Sequence, residues 1–296
     1  MNIEIDLQPT IEPDLHVFHP FPTQAATGCT GTGAIAGEKG FTLGLDQVDA
    51  TLGGGLPRGC LHEVFAHEVG DAGASAGFAL ALALRAAGEG RHIVWVRHAF
   101  AVLEQGDLYA PGLAQFGIDP DRVLLISAKS ETMVLRAGLE ALRSPALGAV
   151  LLEIWGKAGF LDLTASRRMM LAASRSGVTG FILRAAGQPQ PSSSLTRWQV
   201  RAAPSVGLAA GAPSNPVFDI LLDRHRAGIA GGRWHLEWNR DRKSFDLSAA
   251  QPARFDEPLA TPKRSAAKPL PGSVVSLPVD RPAASPEDQK PFRKTG

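Results

Sequence analysis

The chain has 296 residues, of which 44% are hydrophobic and 20% charged, enough to bury one large core. Its formal net charge of +1 gives no global bias towards nucleic acid or another polyanion. No apolar run approaches membrane-spanning length and no secretory signal pattern is present, so we expect a cytoplasmic protein without membrane contact. Two cysteines, Cys29 and Cys60, are too few for a disulfide framework, which fits a reducing compartment.

The first 40 residues show little pattern. Ile3, Ile5 and Leu7 alternate as one edge strand would, and several prolines then interrupt any regular element. We therefore expect residues 1–40 to be a poorly ordered N-terminal segment.

Residues 52–59 predict a tight turn, because consecutive glycines can adopt positive φ and Pro57 fixes the exit of the turn. A strand is expected over 61–65, and an alanine-rich run from Ser75 to Ala87 predicts a helix with Ser75 as its N-cap. A strand, a glycine-containing loop and a helix N-terminus are the parts of a phosphate-binding loop.

Apolar strands then alternate with helices. Strands are predicted at 92–96, 123–127, 148–153 and 180–184, with helices between them at 99–105, 130–143 and 163–176. Continuous apolar strands separated by helices predict an α/β fold with a mostly parallel central sheet flanked by helices.

The C-terminal strand candidates have a different pattern. Residues 197–201 and 234–238 alternate between apolar and polar side chains, and 217–224 form a third candidate, so antiparallel strands are expected to extend the sheet. From residue 248 the chain is rich in Pro, Ala, Ser and charge. These features predict one domain over residues 41–247 and a disordered tail over 248–296.

The loop between strand and helix lacks the chemistry of a nucleotide site. Its degenerate positions are Ala66, Gly70, Asp71, Gly73 and Ser75. No lysine is present to bind the β- and γ-phosphates, and Glu68 and Asp71 would place carboxylates beside a triphosphate. Glu153, at the end of a buried strand, matches only the strand-end acid of such a site. We expect no nucleotide cofactor and no catalytic residue.

A metal site is also not expected. His62, Glu63 and His67 have the spacing HExxxH, one residue longer than HExxH, and lie on a predicted strand. The two histidines therefore cannot share a helical face as metalloprotease ligands do.

The order of these parts resembles the RecA family from Phe41 to Ser205. A closer resemblance is to the ImuA family, which are RecA-like accessory proteins of bacterial mutagenic repair that are sometimes called SulA-like. This resemblance covers Phe41 to Phe245 and is carried by LGGGLPRGCLHEV, GAVLLEIWG, LTRWQVRAAPS and FDILLDRHRAGIAGGRWHLEWNRDRKSF. It implies a RecA-like core.

The resemblance to ImuA also implies a function. That family acts with ImuB, a degenerate relative of Y-family polymerases, and with an error-prone DNA polymerase in damage-induced translesion synthesis. We therefore expect a non-catalytic scaffold that is nucleoid-associated when acting. Two alternatives remain: a nucleotide-dependent, DNA-binding RecA-like ATPase, and a SulA-like inhibitor of cell division.

Basic side chains are concentrated in the second half of the domain, which indicates either an acidic partner or an ordinary mixed surface. The loop from Ala185 to Leu195 occupies the place of a RecA DNA-binding loop, and its flanking arginines could contact phosphates or simply be solvated. The candidate partner or DNA surface comprises Arg167, Arg168, Arg184, Arg197, Arg224, Arg226, Arg240 and Arg242.

Overall fold

The computed structural model describes residues 2–4, 40–205 and 214–248. Most of the two terminal segments predicted to be poorly ordered lies outside the described residues. The helices are α1 (Asp46–Thr51), α2 (Ala72–Ala87), α3 (Ala99–Gln105), α4 (Ala110–Gln115), α5 (Glu131–Arg143) and α6 (Leu163–Ser176), with 3₁₀ turns at Val69–Asp71 and Pro120–Arg122.

The strands are β1 (Asn2–Glu4), β2 (Gly40–Phe41), β3 (Leu56–Pro57), β4 (Leu61–Ala66), β5 (His92–His98), β6 (Val123–Ala128), β7 (Leu147–Trp155), β8 (Thr179–Ala185), β9 (Thr196–Ala203), β10 (Val217–His225), β11 (Arg233–Asn239) and β12 (Ser244–Leu247). All of them belong to one ten-stranded sheet except β2 and β3, which pair with each other.

The large sheet has the order β1-β6-β5-β7-β8-β4-β9-β10-β11-β12. The neighbours from β1 to β9 pair in parallel, and β9 to β12 pair antiparallel. β4 and β8 are buried along their whole length, as expected for strands covered on both faces. The predicted α/β fold, with a mostly parallel sheet, flanking helices and antiparallel C-terminal strands, is confirmed.

Helix α2 lies in the larger of two apolar cores, and eleven of its sixteen residues are buried. The antiparallel strands reach this helix from the far end of the sheet. Phe78 packs against Phe218 and Phe245, with ring centroids 6.0 and 5.6 Å apart, and Trp238 stacks on Phe116 at 5.4 Å. The small alanine side chains of α2 allow this close packing, which amphipathic patterning alone would not predict.

The second core lies on the opposite face of the sheet, beneath α5 and α6. It includes Leu152 and Ile182 from the sheet and Val134 and Met169 from the two helices. A Cβ added at Gly138 of α5 would come within 2.1 Å of the Leu152 side chain, so this glycine allows α5 to approach β7 closely.

The turn before β4 has the predicted backbone. Gly53, Gly54 and Gly55 all have positive φ, and a Cβ added at Gly55 would lie 2.5 Å from the carbonyl oxygen of Phe41. Cys60, directly before β4, is fully buried.

Candidate functional site at the carboxyl edge of the sheet

The carboxyl ends of β4, β5, β7 and β8 meet at one edge of the sheet. The chain leaves β5 towards β6 on one side and leaves β7 towards β8 on the other, so the connections diverge between β5 and β7. Open α/β sheets bind ligands at such a switch point. A cleft of about 250 Å³ lies here, with Arg97, Gln105 and Glu153 among its lining residues.

Glu153 is fully buried near the end of β7 and forms a closed ion pair. Its Oε2 accepts hydrogen bonds from Arg97 Nε at 2.7 Å and Trp95 Nε1 at 2.9 Å. Its Oε1 accepts from Gln105 Nε2 at 2.8 Å and from Arg97 Nη2 at 3.4 Å. Both carboxylate oxygens are therefore engaged by side chains of this chain, and the arginine neutralises the charge that would attract a divalent cation.

Arg97 and Gln105 were not identified as site residues from the sequence. Arg97 lies directly opposite Glu153 in the β5–β7 register, which places both side chains on one face of the sheet. The available signal was only local, since Arg97 directly follows the apolar strand predicted at 92–96.

The loop that the sequence predicted to be a degenerate phosphate loop is a compact turn. Glu68 and Asp71 form a reciprocal capping box around the 3₁₀ turn Val69–Asp71. The Asp71 carboxylate accepts one hydrogen bond from Glu68 N at 3.2 Å and another from Ala202 N at 2.9 Å, at the end of β9. An acid thus holds the loop against the neighbouring strand, at the position where a phosphate-binding loop would present donors to an anion.

Ser75 does not have the predicted N-cap role. Helix α2 begins at Ala72, because the capping box starts helical structure one turn earlier than the alanine pattern indicated. Ser75 lies inside the helix, is fully buried and donates to the carbonyl oxygen of Ala72 at 2.9 Å. Ala66 ends β4, and Gly70 and Gly73 are exposed.

A second buried carboxylate, Glu63 of β4, binds arginines that were predicted to lie on the surface. Arg197 of β9 donates from Nε to Glu63 Oε2 at 3.0 Å, and Arg224 of β10 lies 3.7 Å from the same oxygen. The side chain of Glu63 is not exposed at all. Sequence reasoning missed this residue except as part of a rejected metal motif.

Arg184 is also buried, with 1% of its surface exposed, which corrects its placement on a surface. Its guanidinium lies 5.5 Å from the ring centroid of Phe65 and donates to the carbonyl oxygen of Gly156 at 3.1 Å. Burial lowers the pKa of Arg184 below its usual value. Arg184 and Arg197 are buried because their strands, β8 and β9, flank β4 with its buried acid, and Arg224 reaches the same acid half-buried from β10, the next strand along the sheet.

The loop after β8 is exposed in its first part, at Ala186, Gln188, Pro189 and Pro191, and anchored in its second part. Ser192, Ser193 and Ser194 are buried. Arg197 donates to the carbonyl oxygen of Gln190 at 2.5 Å, and Arg224 donates to Ser192 Oγ and the Ser194 carbonyl oxygen at 3.0 and 3.1 Å. The arginines flanking this loop therefore hold it in place.

The remaining candidate arginines do not share one surface. Arg167 and Arg168 are exposed on α6, and Arg226 is exposed after β10. Arg240 is half-buried and Arg242 is exposed, and both follow β11, which runs opposite to β10. The ends of β10 and β11 lie at opposite edges of the sheet, so Arg226 is far from Arg240 and Arg242.

His62 is a buried neutral residue in a hydrogen-bonded chain. Trp198 Nε1 donates to Thr196 Oγ1 at 2.9 Å, and that hydroxyl lies 2.8 Å from His62 Nδ1. Burial lowers the pKa of His62 to about 4. Within the described part of the chain, no group of three or more His, Cys, Asp or Glu side chains is placed to hold a metal ion. No helix among those residues could cross a membrane.

Large apolar side chains are exposed around the same carboxyl edge. Each follows the end of β4, β5 or β7, and they are Val69, Phe100, Leu103, Tyr109, Phe160 and Leu163. Leu103 is 80% exposed and Tyr109 is 70% exposed. These side chains therefore add exposed apolar surface to this edge of the sheet.

Comparison with known proteins identifies the family. No family model matches the chain. The chain is 32% identical over 217 residues to Protein ImuA of Caulobacter vibrioides, from strain NA1000 / CB15N and equally from strain ATCC 19089 / CIP 103742 / CB 15. The alignment covers 67% of this chain and 82% of the relative in both cases. At this identity and coverage, the chain belongs to the ImuA family.

Proposed function

We propose that this protein is a non-catalytic, RecA-like scaffold in damage-induced mutagenic DNA synthesis. Membership of the ImuA family supports a role in the mutagenic DNA-damage response. The proposed partners are an ImuB-like relative of Y-family polymerases and an error-prone DNA polymerase. The proposed location is the cytoplasm, at the nucleoid when the protein acts.

The observation that carries the non-catalytic role is the engagement of Glu153. A RecA-type ATPase needs a strand-end acid that is free to act near magnesium. Here the acid is bound by Arg97, Gln105 and Trp95, and its charge is already neutralised. A cation would have to displace a buried arginine, which costs several kcal/mol because that arginine would be left unpaired.

The degenerate loop supports the same conclusion. Glu68 and Asp71 hold each other and the end of β9, and no lysine stands beside them. A triphosphate would meet two carboxylates and no compensating cation from this loop. The exposed apolar residues at the same edge support protein contacts there.

Calorimetric titration tests nucleotide binding directly. We expect no saturable heat when Mg-ATP is added to the full chain at concentrations up to about the millimolar range, the weak end of typical ligand affinities. Micromolar binding of Mg-ATP would contradict the proposal and favour the ATPase alternative. In that case, a structure of the nucleotide complex should show which loop contacts rearrange to admit the nucleotide.

The biological role is tested by mutation frequency after ultraviolet exposure. Deleting the gene should lower damage-induced mutation, and restoring the wild-type gene should recover it. The informative variant combines Arg97→Gln with Glu153→Gln, since it removes the acid without leaving a buried arginine unpaired. We expect this double variant to support mutation as the wild type does.

Two results would count against the proposal. An unchanged mutation frequency in the deletion strain would exclude a role in mutagenic synthesis. A folded double variant that behaves like the deletion would show that the acid is needed for function. An immunoblot shows whether the double variant accumulates in the cell. The matched control variant is Glu140→Gln, which changes an exposed acid outside the cleft.

A further inference from the structure

A groove runs between α5 and α6, on the face of the sheet opposite α2. Its volume is about 520 Å³. Two residues of α5, one of the following loop and five of α6 line it: Leu139, Arg143, Pro145, Arg168, Leu171, Ala172, Arg175 and Ser176. Ser176 Oγ donates to the carbonyl oxygen of Leu142 at 2.6 Å and joins the C-terminal ends of the two helices. The groove is therefore a fixed feature of the packed helix pair.

The groove is basic. Helix α6 contains three arginines and no acidic residue. Two of them, Arg168 and Arg175, are seven residues apart and so lie two turns apart on one face. Both are exposed, and neither forms an ion pair with a described residue. Arg143, across the groove, has an acidic partner in Glu140 at 2.6 Å.

Stabilisation of the helices accounts for only some of the arginines in the groove. Arg143 and Arg175 lie in the last turns of their helices, where a cation offsets the negative end of the helix dipole. Arg168 lies in the first half of α6, where a cation gains nothing from the dipole. Arg168 is therefore a groove cation that neither an ion pair with a described residue nor the helix dipole accounts for.

The groove is also apolar between its charges. Leu171 lies between Arg168 and Arg175 on the same face and is 39% exposed. Leu139 is half-buried on the opposite side, and Pro145 is exposed at one end. Apolar positions flanked by unpaired cations complement a helix that has an apolar stripe bordered by acidic residues.

We propose that the α5–α6 groove is a docking surface for an acidic amphipathic helix of a partner protein. This inference rests on the proposed function only in that a scaffold needs docking surfaces. A nucleic acid would satisfy Arg168 and Arg175 but would leave Leu171 facing phosphates, so the apolar residues in the groove favour a peptide.

Fluorescence anisotropy with a synthetic peptide tests the proposal. The probe is a fluorescein-labelled helical peptide of about 14 residues, which matches the length of α6 at about 1.5 Å rise per residue. It carries leucines at helical spacing with glutamates on both sides, and a peptide of the same composition in scrambled order is its control. We expect the purified full chain to bind the ordered peptide saturably and the scrambled one at least about tenfold more weakly, a difference of about 1.4 kcal/mol.

Variants in the groove give the expected pattern. Arg168→Glu with Arg175→Glu should weaken binding by more than about tenfold at low salt and by less at high salt, because salt screens the attraction. Leu171→Ala should weaken it several-fold at both salt concentrations, since apolar contact is not screened. The matched control is Arg167→Glu, an exposed arginine adjacent in sequence that does not line the groove.

Circular dichroism and urea unfolding establish that each variant is folded before binding is measured. The proposal is overturned by the absence of saturable binding, by an equal loss with Arg167→Glu, or by no effect of Leu171→Ala. Binding of a labelled poly-dT strand that depends on Arg168 and Arg175 but not on Leu171 would also overturn it, in favour of a nucleic acid. Failure of this binding assay is independent of the mutation-frequency assay, so the two proposals fail separately.

Discussion

At the carboxyl edge of the sheet, buried charged side chains are engaged by other groups of the protein, whereas two arginines of the α5–α6 groove are exposed and unpaired among the described residues. At the carboxyl edge, Glu153 is paired with Arg97, and Asp71 binds two backbone N–H groups. In the groove, Arg168 and Arg175 are exposed and form no ion pair with described residues. The charged side chains at the expected nucleotide site therefore stabilise the fold, whereas the unpaired arginines lie on a helical surface away from that site.

The largest expected effect is at the paired edge. Glu153→Gln should lower the free energy of unfolding by about 3–5 kcal/mol, because it leaves the charge of Arg97 buried without a counter-ion. Urea unfolding measures this loss. Glu140→Gln, in an exposed pair with Arg143, is the control and should cost less than about 1 kcal/mol. Similar losses for the two variants would mean that burial does not distinguish these pairs.

His62 extends the comparison to a buried group that carries no charge. Its pKa is about 4 in the folded chain and 6.5 when unfolded, because burial disfavours the protonated ring. As the pH falls, the unfolded state therefore protonates His62 before the folded state does. The stability that comes from keeping His62 neutral and buried is complete above pH 6.5 and is lost as the pH falls towards 4. The full difference corresponds to about 3 kcal/mol.

Urea unfolding at several pH values measures this loss. His62→Gln should flatten the stability profile between pH 6.5 and 4. His225 and His235 also have pKa values lowered mainly by burial, so a smaller slope of the same sign should remain in the variant. If the variant keeps the full wild-type slope, His62 is not the residue responsible.

A smaller effect is expected in the degenerate loop. Asp71→Ala removes the acceptor for the N–H groups of Glu68 and Ala202 and should cost about 2 kcal/mol, as expected for hydrogen bonds to a charged group. Amide hydrogen exchange at Ala202 should accelerate in the variant. Unchanged exchange there would show that the loop is not attached to β9 through this carboxylate.

The smallest effect is expected in the groove. Arg168→Ala combined with Arg175→Ala should change the free energy of unfolding by no more than about 0.5 kcal/mol, since neither side chain has an ion-pair partner to lose and Arg175 gives up only a few tenths of a kcal/mol with the helix dipole. Urea unfolding beside the wild type measures the difference. A loss above about 1 kcal/mol would place these arginines with the paired, structural charges and remove the contrast between the two regions.

The central architecture was predictable because it depends on local patterns. Apolar runs over 148–153 and 180–184 predicted buried parallel strands, and both lie within β7 and β8. The alternation at 234–238 predicted an antiparallel strand, and β11 spans it. The helix start after β4 was misplaced, since the Glu68–Asp71 capping box begins a turn before the apolar pattern does.

The candidate site was only partly predictable, because its contacts join distant residues. Glu153 was identified as a strand-end acid, but its partner Arg97 is 56 positions away. Arg197 was assigned to a surface, whereas strand order places it beside Glu63, 134 positions earlier. A charged residue at a strand end has the same local signature whether it faces solvent or a buried acid.

By itself, the sequence determined the alternation of strands and helices, the positive-φ turn at Gly53–Gly55 and the absence of a phosphate-binding lysine. These depend on side-chain spacing, glycine backbone freedom and residue type, all of which are local properties. Only the tertiary structure decided which charges are neutralised. Strand order places Arg97 against Glu153 and Arg197 against Glu63, and helix packing leaves Arg168 exposed beside a groove. The physical reason is that the state of a charge depends on its neighbours in space, which sequence separation does not reveal.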